Sequence, residues 1–127
     1  FEVGNNPVAM AIGDFNNDTK PDVATVNTGS NNVSILLNSG SAGFAKAVNI
    51  SVSEQPRAVA VGDFNNDGKS DLAVTHVTAT VNQTISILLG NGAGSFSNPA
   101  TINSSQPFFS VLATDLDRDG TVEVICV

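Results

Sequence analysis

Gly62-Asp63-Phe64-Asn65-Asn66-Asp67-Gly68-Lys69-Ser70-Asp71-Leu72-Ala73-Val74 places an oxygen ligand, side chain or backbone, at every second position of a tight turn, then runs into a short apolar stretch. The same pattern occurs earlier, from Gly13 through Asp14-Phe15-Asn16-Asn17-Asp18-Thr19-Lys20-Pro21-Asp22 to Thr25. It occurs again from Asp115 through Leu116-Asp117-Arg118-Asp119-Gly120-Thr121-Val122-Glu123 to Val127. The copies lie 49 and 52 residues apart, which makes the chain a repeat protein. Everything between them reads as spacer from one loop to the next.

The loop has the donors of a hard cation. Ca²⁺ takes six to eight oxygens in flexible geometry, and alternate side chains of a tight turn can converge on one point. In the middle copy these are Asp63, Asn65, Asp67 and Asp71, with the carbonyl of Lys69 between the last two. The third copy offers Asp115, Asp117, Asp119, the Thr121 carbonyl and Glu123; the first offers Asp14, Asn16, Asp18, the Lys20 carbonyl and Asp22. Gly68 and Gly120 permit the bend that such a wrap needs. Thr19 stands where they do, so the first copy is expected to be the weakest of two to three calcium sites.

An EF-hand does not fit. That motif needs a bidentate Glu at position 12 between flanking helices. Position 12 here is Thr25, Val74 or Cys126, and the flanks are short and β-branched, which favours strands. The plainer alternative is an Asx-rich turn with no metal, since Asp, Asn and Gly favour turns for local reasons. Charge placement argues against it. Ten of the twelve acidic residues sit at the named ligand positions; only Glu2 and Glu54 lie elsewhere. Such clustering is repulsive unless a cation neutralises it, and three Ca²⁺ would offset most of the formal net charge of −7.

At 127 residues the chain has the length of one domain. Its hydrophobic content is 41%, mostly aliphatic, and only 13% of residues are charged, with Asn, Ser, Thr and Gly supplying the surface. That balance points to an all-β protein. Five basic residues and no Trp or Tyr exclude a phosphate-binding surface of the usual kind, so no nucleic-acid partner is expected. No apolar run reaches membrane-spanning length. The chain opens on Phe1, within what reads as a strand, as a piece of something longer would. The single cysteine, Cys126, aligns with Val74 and reads as a small buried apolar residue.

Each repeat divides into four short strands. Residues 1–6 are the end of a preceding unit, 7–55 and 56–106 are complete units, and 107–127 are the first half of a third. The first strands, Pro7 to Ile12 and Pro56 to Val61, are apolar on both faces, as inner strands packed on both sides are. Second strands follow the loops at Val23 to Val26 and Leu72 to His76. Third strands run from Val33 to Leu37 and Ile85 to Leu89. The glycines after them read as turn devices, because no helix follows to make a phosphate cradle. Fourth, more polar strands (Ala47 to Val52, Ala100 to Asn103) read as outer strands with one wet face. Four antiparallel strands in about fifty residues is the size of a β-propeller blade. In the third copy Thr114 replaces the Gly before the loop, and Pro107 sits one residue further upstream than its counterparts.

Asp-Phe-Asn-x-Asp-Gly-x-x-Asp-Leu-Ala-Val, followed by Ile-Ser-Ile-Leu-Leu-Gly-Asn-Gly-x-Gly-x-Phe, resembles the FG-GAP/VCBS-type repeat of integrin-α-like β-propellers. The resemblance covers essentially the whole chain. It implies blades around a central axis, calcium in the loop between the first two strands of each blade, and an extracellular or cell-surface setting. Two and a half blades do not close a ring and leave open sheet edges. The chain is then a segment of a longer propeller, a subunit of a ring made of several copies, or a unit of an open filament.

Asn-x-Ser/Thr sequons fall at Asn17, Asn32, Asn49, Asn82 and Asn103. Asn32 and Asn82 hold equivalent places before the third strands, where an exposed loop would accept a glycan in a secreted eukaryotic protein. His76, the only histidine, lacks the partners of a catalytic group, and the repeating carboxylates suit ligands better than a general acid/base pair. No enzyme signature is present. Three roles fit: a calcium-binding extracellular propeller segment for adhesion or ligand binding, a structural protein assembling through its blades into a fibre or ring, and a lectin-like propeller. Expected partners are other copies or the rest of a longer propeller, and an extracellular protein or glycan.

Overall fold

The structure is a computed structural model that describes residues 1–77, 83–105 and 110–127. The described residues form two four-stranded antiparallel sheets and one two-stranded sheet. Blade 1 consists of β1 (Pro7–Gly13), β2 (Asp22–Asn27), β3 (Asn32–Leu36) and β4 (Val48–Ser51), paired in that order. Blade 2 repeats it with β5 (Pro56–Gly62), β6 (Asp71–His76), β7 (Gln83–Leu88) and β8 (Ala100–Ser104). β9 (Val111–Thr114) and β10 (Glu123–Cys126) form the first hairpin of a third. A 3-10 turn, Gly40–Ala42, lies in the link between β3 and β4. Pro107 and Asn82 fall outside the described residues.

The repeats match in register as well as order. In each blade the register slips between the opening proline and the second residue after it, at Pro7/Ala9 and Pro56/Ala58. Proline has no N–H to give to a ladder, so it suits the first residue of a strand, where pairing begins. Cys126 faces Val111 as Val74 faces Val59, which confirms their alignment. Cys126 is half-buried, and that burial pushes its thiol pKa up.

The first strands are neighbours: β5 packs against β1 on one side and β9 on the other. This places the blades face to face about their inner strands, as in a propeller, without closing a ring. The core lies between blades 1 and 2. It contains Phe15, Val26, Ile35, Leu72, Val74 and Leu88, with Val59 and Val61 of β5 packed onto it. The fourth strands are mostly exposed, as expected of outer strands.

The expectation of two packed faces holds for β5 and fails for β1. Val8, Met10 and Ile12 are 48%, 59% and 62% exposed. They occupy the repeat positions of Arg57, Val59 and Val61, so they are the residues that would pack on a preceding sheet. No described residue covers them.

His76 is fully buried and structural. Its Nε2 lies 2.8 Å from Ser86 Oγ and its Nδ1 3.2 Å from the Glu54 carbonyl oxygen. Burial lowers its pKa. Blade 1 fills the same place with Asn27, whose Nδ2 donates to Ser34 Oγ and Asn32 Oδ1, both at 2.8 Å. Asn32 is therefore not on an exposed loop: it opens β3, half-buried, with its Oδ1 held by Asn27 and Ser30. Asn17, Asn49 and Asn103 are exposed.

Candidate metal centre

All three acidic loops join the first strand of a blade to the second. Their hydrogen bonds follow one plan. The carboxylate at position 9 turns back to cap the N–H of position 2: Asp22 to Phe15 (2.8 Å), Asp71 to Phe64 (2.9 Å) and Glu123 to Leu116 (2.7 Å). The carboxylate at position 1 caps position 6: Asp14 to Thr19 (2.8 Å), Asp63 to Gly68 (2.7 Å) and Asp115 to Gly120 (3.0 Å). Position 3 caps position 5, and position 5 caps position 7. The side chains thus turn inward on a ring of backbone amides.

That wrap needs left-handed backbone at positions 4 and 6. Asn17, Asn66 and Arg118 supply the first (φ 56°, 58° and 63°); Thr19, Gly68 and Gly120 supply the second (φ 67°, 78° and 94°). A Cβ at Gly68 or Gly120 would meet nothing within 4 Å, so the demand there is on φ and not on space. Thr19 is β-branched and strained at this angle, by about 1–2 kcal/mol. Thr19→Gly is expected to stabilise the protein by about 0.5–1 kcal/mol, the relief exceeding glycine's entropic cost. Urea denaturation checks this; a loss of stability would refute the strain.

The residues before the loops explain one departure of the third copy. A Cβ on Gly13 would sit 2.7 Å from the Phe15 ring, and one on Gly62 equally close to Phe64. The ring at position 2 lies over the glycine and excludes a side chain. Where position 2 is Leu116, Thr114 is accommodated.

The loops differ in their cations. Lys20 Nζ lies 2.8 Å from Asp18 Oδ2, and Lys69 Nζ 2.9 Å from Asp67 Oδ2. These bonds hold the carboxyls of Asp18 and Asp67 below the usual range, and the Asp18 bond raises the pKa of Lys20. In the third loop Thr121 replaces the lysine. Its hydroxyl donates to Asp119 Oδ1 at 2.6 Å, which lowers that carboxyl too. Here carboxylate oxygens of Asp115, Asp117 and Glu123 gather within 4.8 Å of one another. The lysine contacts were not foreseen from sequence, although a lysine two residues after the position-5 aspartate in two of three loops was a visible signal.

Two further observations bear on whether a cation fits. Asp115 Oδ1 is buried and has no hydrogen-bond partner. Asp22 and Asp71 are fully buried, and no cationic side chain pairs with either among the described residues. Buried charges are ordinarily paired or bound to metal. The donor set is entirely oxygen, as hard cations require. The residues present therefore suit a calcium-type ion, which Asp115, Asp117 and Glu123, with Asp119 beside them, would hold in the third loop and their counterparts would hold in the others.

Asp22 and Asp71 also reach beyond their loops. Asp22 Oδ1 accepts the Asn38 N–H and Asp71 Oδ1 the Gly90 N–H, each at 2.7 Å. Each buried carboxylate so ties its loop to the turn after the third strand. That turn in blade 2 crosses to blade 1: the Gly94 N–H donates to the Phe15 carbonyl (2.8 Å), and the Phe15 and Phe96 rings meet edge to face at 5.5 Å. The first acidic loop is thus part of the joint between blades. At the opposite end of the strands, Thr28 Oγ1 donates to the Pro56 carbonyl (2.6 Å) beside a cavity of about 420 Å³. Asn6, Thr28, Gln55 and Arg57 line it, well away from the carboxylates.

No curated protein matches the sequence. The family model described as FG-GAP-like repeat matches residues 14–74, from the first acidic loop to the end of the second copy's apolar run. Over that stretch, just under half of the chain, which carries the repeat that the two blades share in strand order, register and loop plan, the chain is similar to an FG-GAP-like repeat.

Proposed function

We propose that the chain is a non-enzymatic, calcium-stabilised segment of a β-propeller that acts outside the cell in adhesion or ligand binding. One observation carries this reading: three loops, 49 and 52 residues apart, aim their carboxylates inward on the same frame, and the third brings three of them together around the buried, unpartnered Asp115 Oδ1. Calcium at these places would hold the first hairpin of each blade and, through Phe15, the joint to the next. Outside the cell such sites would work with affinities of about 10⁻⁴–10⁻³ M. The cavity between the blades, with its amides, hydroxyl and guanidinium, offers a surface for a polar ligand. Calorimetric titration with calcium tests the reading; no binding at millimolar concentration would overturn it.

A second reading, assembly into a ring or fibre, is favoured by the exposed face of β1. Val8, Met10 and Ile12 present to solvent what Val59 and Val61 bury in blade 2. Light scattering in calcium should then give a mass well above 13.0 kDa. A monomer would sink this reading and leave the first in place.

A further inference from the structure

We infer that Lys20 and Lys69 are resident competitors of calcium, so that the third loop fills first and the other two fill only as their lysines swing away. This rests on the calcium reading above. In the first two loops one lysine occupies both oxygens of the position-5 carboxylate. Lys20 gives its N–H to Asp18 Oδ1 (2.9 Å) and its ammonium to Oδ2 (2.8 Å). Lys69 does the same to Asp67, at 3.1 and 2.9 Å. Both ion pairs are partly exposed, so the ammonium can leave the carboxylate for water without leaving a charge buried.

The third loop is the internal control. Thr121 gives both its N–H (2.8 Å) and its hydroxyl (2.6 Å) to one oxygen, Asp119 Oδ1. Asp119 Oδ2 has no protein partner among the described residues. Arg118, the only cation in that loop, pairs with none of its carboxylates. The loop offers four carboxylates where the others offer three and a lysine. Among the described residues it alone has three carboxylates, Asp115, Asp117 and Glu123, already gathered. Calcium affinity follows ligand charge and rigidity, so both differences favour the third loop. The lysine turns the first two into sites that answer only to a higher calcium concentration.

The test is a calcium titration of the protein followed by amide NMR at Gly68 and Gly120, whose N–H groups bond to Asp63 and Asp115. In the wild type, Gly120 should respond at about tenfold lower calcium than Gly68. Lys69→Met should shift the Gly68 midpoint about two- to fivefold lower and leave Gly120 in place, the range that an exposed ion pair supplies. Thr121→Lys should move the Gly120 midpoint upward by a similar factor. If Lys69→Met and Thr121→Lys leave both midpoints unchanged, the lysines do not compete and the proposal fails, while the calcium reading survives. If neither amide responds to calcium in any variant, both fail together.

Discussion

Asp71→Ala is expected to cost about 3–5 kcal/mol even in excess chelator, where no metal effect can contribute. Its carboxylate is fully buried, and its two oxygens accept the N–H groups of Phe64 and Gly90 at 2.9 and 2.7 Å. Hydrogen bonds to a charged acceptor contribute about 1.5–3 kcal/mol each, and removing the acceptor leaves both donors without a partner. Asp71→Asn keeps one acceptor oxygen and should cost roughly half as much. Asp67→Ala, by contrast, removes an exposed ion pair and in chelator should change stability far less. Urea denaturation of the three variants in chelator decides the matter. If Asp71→Ala and Asp67→Ala lose equal stability there, Asp71 is only a loop ligand and not the clamp between loop and turn.

That clamp shows where the sequence stopped being readable. The loops, their spacing and the four strands per unit were all legible, because Asx-rich turns and β-branched runs act through local preferences. Position 9 was legible as an oxygen donor. Its second bond was not, because Gly90 lies 19 residues away and meets Asp71 only once β6 and β7 have paired. The lysines were hidden for another reason. Lys69 was counted for its carbonyl, and where an ammonium settles depends on rotamers that spacing does not encode. The exposure of Val8, Met10 and Ile12 was misread because an inner strand's two faces are buried by different sheets, and periodicity cannot say whether both are present. Asn32 was misplaced because its neighbours Ser30 and Asn31 read as loop, while its own amide belongs to the network that fixes Asn27.

Chelation is expected to lower the melting temperature by about 5–10 °C relative to millimolar calcium. A ligand at about ten times its Kd stabilises the folded state by about 1.4 kcal/mol per site, and a chain of this length shifts by several degrees per kcal/mol. Two filled sites suffice for the stated effect. The effect should extend past the loops themselves. The Phe15 carbonyl that accepts the Gly94 N–H belongs to the first loop, so fixing that loop also fixes blade 2 against blade 1. Screening makes a second contribution that must be separated. Monovalent salt at the same ionic strength weakens repulsion among the clustered carboxylates, but it cannot bridge them and should recover only a small part of the shift. Magnesium should recover less than calcium, since it demands near-octahedral geometry and gives up its water reluctantly. Asp119→Ala should shrink the calcium-dependent increment and leave the melting temperature in chelator almost unaltered, because its carboxylate is exposed and bonds only to Thr121. Equal melting temperatures in calcium and chelator would mean that the inward-facing carboxylates serve the backbone amides alone. The fully buried Asp22 and Asp71 would then be charges held in the protein by amide donors without any cation, a costly arrangement.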